Sequence, residues 1–160
     1  MSVMADIVAT YRGPATVLRR RLAGAGEDKA LAILMAGCVL LFIAQWPRLS
    51  REAYLEGGEL QVMIGGALLA LVFILPLILY AFAAVSHLIA KPLGGKATPL
   101  QARMALFWAL LAAAPVFLLN GLTQGFIGPG VQASITGALA MVVFLWFWLA
   151  GLVAVERGRV

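Results

Sequence analysis

Between Arg103 and Glu156 the chain has no charged side chain, and between Glu59 and Lys91 its only group that titrates near neutral pH is His87. A water-soluble domain keeps ionised groups on its surface. At the centre of a bilayer, by contrast, each Lys, Arg or Asp costs about 3 kcal/mol or more. Charge-free tracts of this length are therefore expected to be membrane spans, each needing about 20 apolar residues.

Little of the chain remains for anything else. Of its 160 residues 63% are hydrophobic and only 12% are charged, which leaves no room for a large soluble domain. The apolar runs are hydrophobic on every side rather than along one stripe, as expected of helices that face lipid and each other. The expected fold is all-α: a bundle of four transmembrane helices preceded by a short cationic amphipathic segment. The net charge of +5 would point to nucleic acid in a soluble chain. Here the basic residues gather beside apolar spans, without aromatic interleaving or a zinc pattern, so membrane lipids are the expected partners and nucleic acid is not. The single cysteine, Cys38, excludes an intrachain disulfide and a paired-thiolate metal site. Met35-Ala36-Gly37-Cys38 is similar to a lipoprotein cleavage box, but the apolar run continues beyond Cys38. The run Arg19-Arg20-Arg21 is similar to a twin-arginine export signal, but Glu27, Asp28 and Lys29 separate it from the first apolar stretch.

Counting turns places spans at about 30–46, 62–88, 103–120 and 131–155, all within a transmembrane domain of 30–155. A segment of 1–29 and a tail of 156–160 lie outside it. Glu27 and Asp28 open the first helix at the favourable end of its dipole, and Pro47 is expected to close it. Pro76 is expected to kink the second helix, and Pro115 lies within the third. The stretch 120–130, with four glycines and a proline, is expected to end the third helix and turn the chain in an uncharged hairpin. The longer loop 47–61 mixes Arg48 and Arg51 with Glu52, Glu56 and Glu59 and is expected at the membrane surface. Four spans put Arg12, Arg19, Arg20, Arg21, Lys29, Lys91, Lys96, Arg103, Arg157 and Arg159 on one side, and only Arg48 and Arg51 on the other. Positive residues near span ends stay in the cytoplasm, so both termini are expected there.

Pro14 suits a helix start. On a helix, Pro14, Leu18, Leu22 and Ala25 share one face while Arg19 and Arg20 point away and Arg21 can snorkel, so all three arginines are candidate membrane-surface contacts. A cationic helix on the cytoplasmic leaflet and a basic tail that only sets orientation both satisfy this pattern.

Chemistry at membrane depth needs ionisable groups, and none of the spans contains Asp or Glu. One His and one Cys cannot make a zinc set, and the adjacent pair Ser86-His87 points about 100° apart on a helix, which rules out the usual nucleophile-base hydrogen bond. No catalytic, metal-binding or cofactor-binding residue is expected, and the chain is not expected to be an enzyme. His87, within about a turn of Lys91, is a candidate pH-sensing or headgroup-binding residue. Its plainer reading is an interfacial histidine with satisfied ring nitrogens. Gln45, Asn120 and Gln124 are candidates for hydrogen bonds between helices, and the pairs Ala32 with Ala36, Gly66 with Ala70 and Ala133 with Gly137 for close backbone approach. Phe144, Trp146, Phe147 and Trp148 surround the last helix, so part of that cluster faces lipid or a partner protein.

One stretch goes beyond generic membrane sequence. Residues 88–98, Leu-Ile-Ala-Lys-Pro-Leu-Gly-Gly-Lys-Ala-Thr, are followed by Arg103 and, in the next span, by Ala112-Ala113-Ala114-Pro115. This resembles the central signature of the Yip family of membrane proteins, in which an apolar helix ends in a Gly-Gly-basic-small turn and the next span carries a proline after small residues. Tyr11-Arg12-Gly13-Pro14 is similar to that family's Tyr-Gly-Pro element before the membrane. The resemblance makes Gly94, Gly95, Lys96 and Pro115 the signature residues, with the glycines allowing positive φ in a tight turn. Four spans and a short N-terminal segment depart from the eukaryotic relatives, which have five spans and a link to Rab GTPases, and look like the compact bacterial branch. The resemblance implies a bacterial inner-membrane protein that acts in membrane organisation through lipid, protein or self contacts. Alternatives are an accessory or assembly subunit of a larger membrane complex and, further off, a small transporter or channel.

Overall fold

A computed structural model describes residues 2–158; Arg159 and Val160, counted above in the 156–160 tail, lie outside the described residues. Among the described residues every regular element is helical. Two short helices, α1 (Val3–Thr10) and α2 (Pro14–Leu22), precede α3 (Glu27–Glu56). Next come α4 (Leu60–Leu68), a π-helical turn (Leu69–Ile74), α5 (Leu75–Ala90) and a 3₁₀ turn (Lys91–Leu93). The chain continues into α6 (Pro99–Phe126) and α7 (Val131–Glu156). Four helical stretches are long and apolar enough to cross a membrane: Glu27–Glu56, Leu60–Leu93, Pro99–Phe126 and Val131–Glu156. The chain is thus a membrane-embedded helical bundle.

The bundle is built around α6. In its most apolar stretch 61% of residues are buried, against 11% for the stretch that contains α4 and α5. From Met104 to Ala114 every residue of α6 is buried, on all sides of the helix. With α3 and α7 packed on it, this part of α6 is covered by protein all round, whereas the π-helical turn exposes Leu69 and Phe73, and α5 exposes Leu77 and Ile78. Such faces are the ones a bilayer solvates.

Glycine lets α3 and α6 meet. A Cβ on Gly121 would overlap the Ala44 carbonyl, one on Gly125 would overlap Pro47, and one on Gly37 would lie 3.1 Å from Leu110 Cδ2. Residues 121 and 125 are therefore interior contacts of a helix, and α6 does not end at Asn120 as expected from their composition. The turn that follows is confined to 127–130, where Gly128 has φ +94°. Proline at 47 likewise does not stop the first long helix, which runs on to Glu56 and ends at Gly57 in the left-handed conformation. In an isolated helix an internal proline costs about 3 kcal/mol. Here its ring fills the space that Gly125 leaves, and the packed interface carries the helix through. The loop expected over 47–61 is thereby reduced to 57–59.

At the other end of α6, Thr98 and Gln101 form a reciprocal capping box, so the helix begins at Pro99 rather than near residue 103. The pattern Thr-x-x-Gln marks this start in the sequence itself. Near Pro76, where a kink is expected, the helix changes its hydrogen-bond pattern. Pro76 has no N–H for the carbonyl four residues earlier, and just before it the helix widens so that the Leu75 N–H reaches the Ala70 carbonyl five residues back.

Gly121→Ala is expected to lower stability by about 1–3 kcal/mol through forced separation of α3 and α6. Gly66→Ala, whose added Cβ meets nothing within 4 Å, is expected to leave it unchanged or slightly raised. Thermal melting of both variants in detergent micelles checks this, and parent-like melting of Gly121→Ala would contradict the close crossing.

Candidate functional site

The polar side chains concentrate where α1, α2, the 91–98 turn and the end of α7 come together. Arg103 pairs with Glu27 there, joining the first turns of α6 and α3, and its guanidinium also lies 5.7 Å from the Tyr80 ring centroid. Leu18 of α2 packs against Gly151 of α7, where an added Cβ would sit 3.1 Å from Leu18 Cδ2. Both helical ends of the chain and the 91–98 turn therefore share one end of the bundle. Two clamps organise it.

The first clamp is centred on Asp6. Its side chain is buried in α1 and ion-paired with both Arg20 and Arg21 of α2. A buried carboxylate needs such partners, since isolation from water would otherwise cost several kcal/mol. The Arg21 guanidinium also lies 4.9 Å from the Trp108 ring centroid. Trp108 Nε1–H donates to Thr10 Oγ1 at 3.0 Å, and Thr10 Oγ1–H donates in turn to the Asp6 carbonyl at 2.7 Å. Next to Thr10, Tyr11 donates its hydroxyl to the Ala112 carbonyl at 3.0 Å and sets its ring edge against Phe147 at 4.9 Å. Burial pushes the Tyr11 pKa up from its ordinary value.

The amphipathic segment expected on the lipid surface is thus a docked helical hairpin. Val17 and Leu18 of α2 are buried, covered by protein and not by lipid. Arg19 and Arg20 are exposed as expected, while Arg21 turns inward to Asp6 and Trp108.

The second clamp is centred on Glu156, at the end of α7 where the helix dipole disfavours a negative charge. Its carboxylate accepts from the Ala97 N–H at 3.3 Å and lies 3.4 Å from His87 Nδ1, with both side chains largely buried. Its backbone carbonyl accepts from the Lys96 N–H at 3.0 Å. The two glycines of the turn serve different needs. Gly94 has φ +87°, whereas Gly95 is required for space, because a Cβ there would overlap the Glu156 carboxylate. His87, Gly94, Gly95 and Lys96 therefore belong to one constellation, while Pro115 lies on another part of the molecule, beside the Tyr11 contact. Ser86 donates to the Ala83 carbonyl at 2.9 Å and has no part in it.

Other sequence candidates divide. Asn120 joins α6 to α7 through the Ala133 carbonyl and Thr136 Oγ1, both at 2.9 Å, and Gly137 packs on Asn120. Among the described residues the Gln124 side chain bonds to Asn120 on the same helix, and the Gln45 side chain to Arg48. Gly66 meets no neighbour, and Ala32 and Ala36 are exposed. Of the aromatic cluster, Phe147 is buried, Trp148 packs on Phe82 at 5.1 Å and Phe144 at 6.5 Å, and Trp146 is half exposed. Among the described residues no group of three or more His, Cys, Asp or Glu is gathered as a metal site. Sequence reasoning missed Asp6, Thr10 and the clamping role of Glu156. The run of three arginines hinted that an anion was needed, but nothing in the spacing named Asp6. Comparison of the chain with protein-family models, with curated proteins and with solved structures gives no match.

Asp6→Ala is expected to cost about 2 kcal/mol, less than for a fully buried pair because Arg20 is 45% exposed. Hydrogen exchange should then rise across residues 3–22, and unchanged protection there would contradict the docked hairpin. Glu156→Ala is expected to release the 94–97 turn, seen as faster trypsin cleavage after Lys96. His87→Ala should have the smaller effect, because the Ala97 and Lys96 bonds remain.

Proposed function

We propose that this chain is a non-catalytic protein of a bacterial inner membrane, with both termini in the cytoplasm, acting in membrane organisation as Yip-family proteins do. One observation carries this reading. Two of the three elements that resemble the family's meet in space, Tyr11 of the pre-membrane element donating to Ala112 of the Ala-Ala-Ala-Pro element. The Gly94-Gly95-Lys96 turn, the third element, is held by a dedicated carboxylate rather than left as a free loop.

The non-catalytic reading is supported by how the polar groups are used. Asp6, Glu156, His87 and Asn120 are engaged in joining helices, and Ser86 and His87 have separate partners. What the molecule offers to others is surface: broad apolar faces on α4 and α5 for lipid, self-association or another membrane protein, and a cationic end for anionic headgroups.

The chain, expressed with a tag in a bacterial membrane, is expected to resist alkaline extraction and to migrate in mild detergent as a monomer or small homo-oligomer. A reporter at its C-terminus is expected to be active only in the cytoplasm. A stoichiometric large complex would replace this reading with that of an accessory subunit, and solubility without detergent would end it.

A further inference from the structure

Beside the Asp6 clamp, α1, α2, α3 and α6 leave an open cleft of about 450 Å³. Its polar wall carries Arg20, Arg21 and Lys29 with one carboxylate, Asp6, and its apolar floor is made by Ala32, Ile33 and Met104. Three cations and one anion thus stand among the described residues that line the cleft. The cleft at the opposite end of the bundle is balanced, with Arg48 and Arg51 facing Glu52 and Glu56.

We infer that this cleft binds the phosphate of an anionic phospholipid headgroup, with the acyl chains leaving along Ala32 and Ile33. The inference deepens the reading of the chain as a membrane protein acting through lipid contacts and rests on it. Three features fit a phospholipid. Asp6 already holds both arginines in place, so an incoming phosphate meets ordered donors and not mobile side chains. Lys29 Nζ donates to the Gly24 carbonyl at 2.7 Å, and an ammonium has three donors, so it is positioned by one and has others for a ligand. Height completes the match. Lys29 is the last charged residue of α3 before the charge-free run 30–47, so the cations sit at headgroup level and the exposed Ala32 begins the acyl-chain level. A free phosphate or an acidic peptide would use the polar wall and leave the apolar floor in water.

The test uses the full chain in phosphatidylcholine nanodiscs with and without phosphatidylglycerol, read by thermal midpoint and by titration of the lipid. Phosphatidylglycerol is expected to raise the midpoint of the parent protein. Lys29→Gln is expected to weaken the titration about fivefold. Ala32→Trp keeps every charge, replaces an exposed residue and fills the mouth of the cleft. It is expected to melt like the parent in phosphatidylcholine alone and to lose the phosphatidylglycerol increment. Equal increments in the parent and Ala32→Trp would reduce the effect to general surface charge and overturn the site. An increment of the same size from inorganic phosphate would overturn the lipid assignment. Resistance to alkaline extraction, measured in parallel, separates the two failures: a resistant chain indifferent to phosphatidylglycerol loses the site but not the membrane reading.

Discussion

The arrangement depends on the backbone contact between α3 and α6, where Ala44 and Pro47 lie against Gly121 and Gly125. In lipid, helices gain nothing by hiding leucine from their surroundings, so association rests on close packing and on polar bonds. Removing side chains at the crossing lets two helical backbones touch over several turns, and α6 thereby becomes the axis. Its remaining sides are filled by α7, α5 and the N-terminal hairpin, so that eleven consecutive residues from Met104 to Ala114 are all buried.

The basic end completes what the crossing begins. A three-helix core of α3, α6 and α7 would lack the contacts that Trp108, Phe147 and the Ala112 carbonyl make at that end. The α1–α2 hairpin closes over them with Tyr11, Thr10 and Leu18, and its own fold is secured by one buried carboxylate shared between two arginines. Glu156 does the same for the 91–98 turn. Each clamp places an acidic group where isolation would be costly and meets it with donors from a different element.

The second apolar stretch has the opposite character. Helices α4 and α5, with the widened turn before Pro76 between them, cover little of the core and present large side chains outward. Besides buried Leu79 and Ala83, its tethers include Tyr80 against Phe107, Phe82 against Trp148, and His87 Nδ1 3.4 Å from the Glu156 carboxylate. Of the four long apolar stretches this one is the least covered by the rest of the bundle.

The exclusion of charge from four long stretches was legible in the amino-acid order alone, because desolvating an ion is costly wherever it happens in a bilayer. So was the crowding of basic residues near three of the five connections and ends, and the capping pattern Thr98-x-x-Gln101. Local rules failed at Pro47, Gly121 and Gly125, which read as breakers by propensity and prove to be the points of closest packing, since a missing side chain weakens a lone helix but admits a neighbour. Asp6 and Glu156 carried no signal in their spacing, as their partners lie 14 to 69 residues away in the chain. Sequence thus determined which segments leave water, a matter of each residue's own transfer energy. Tertiary structure decided which helix is central, which faces are covered and which charges are clamped, because those depend on shapes and partners that only the assembled bundle brings into contact.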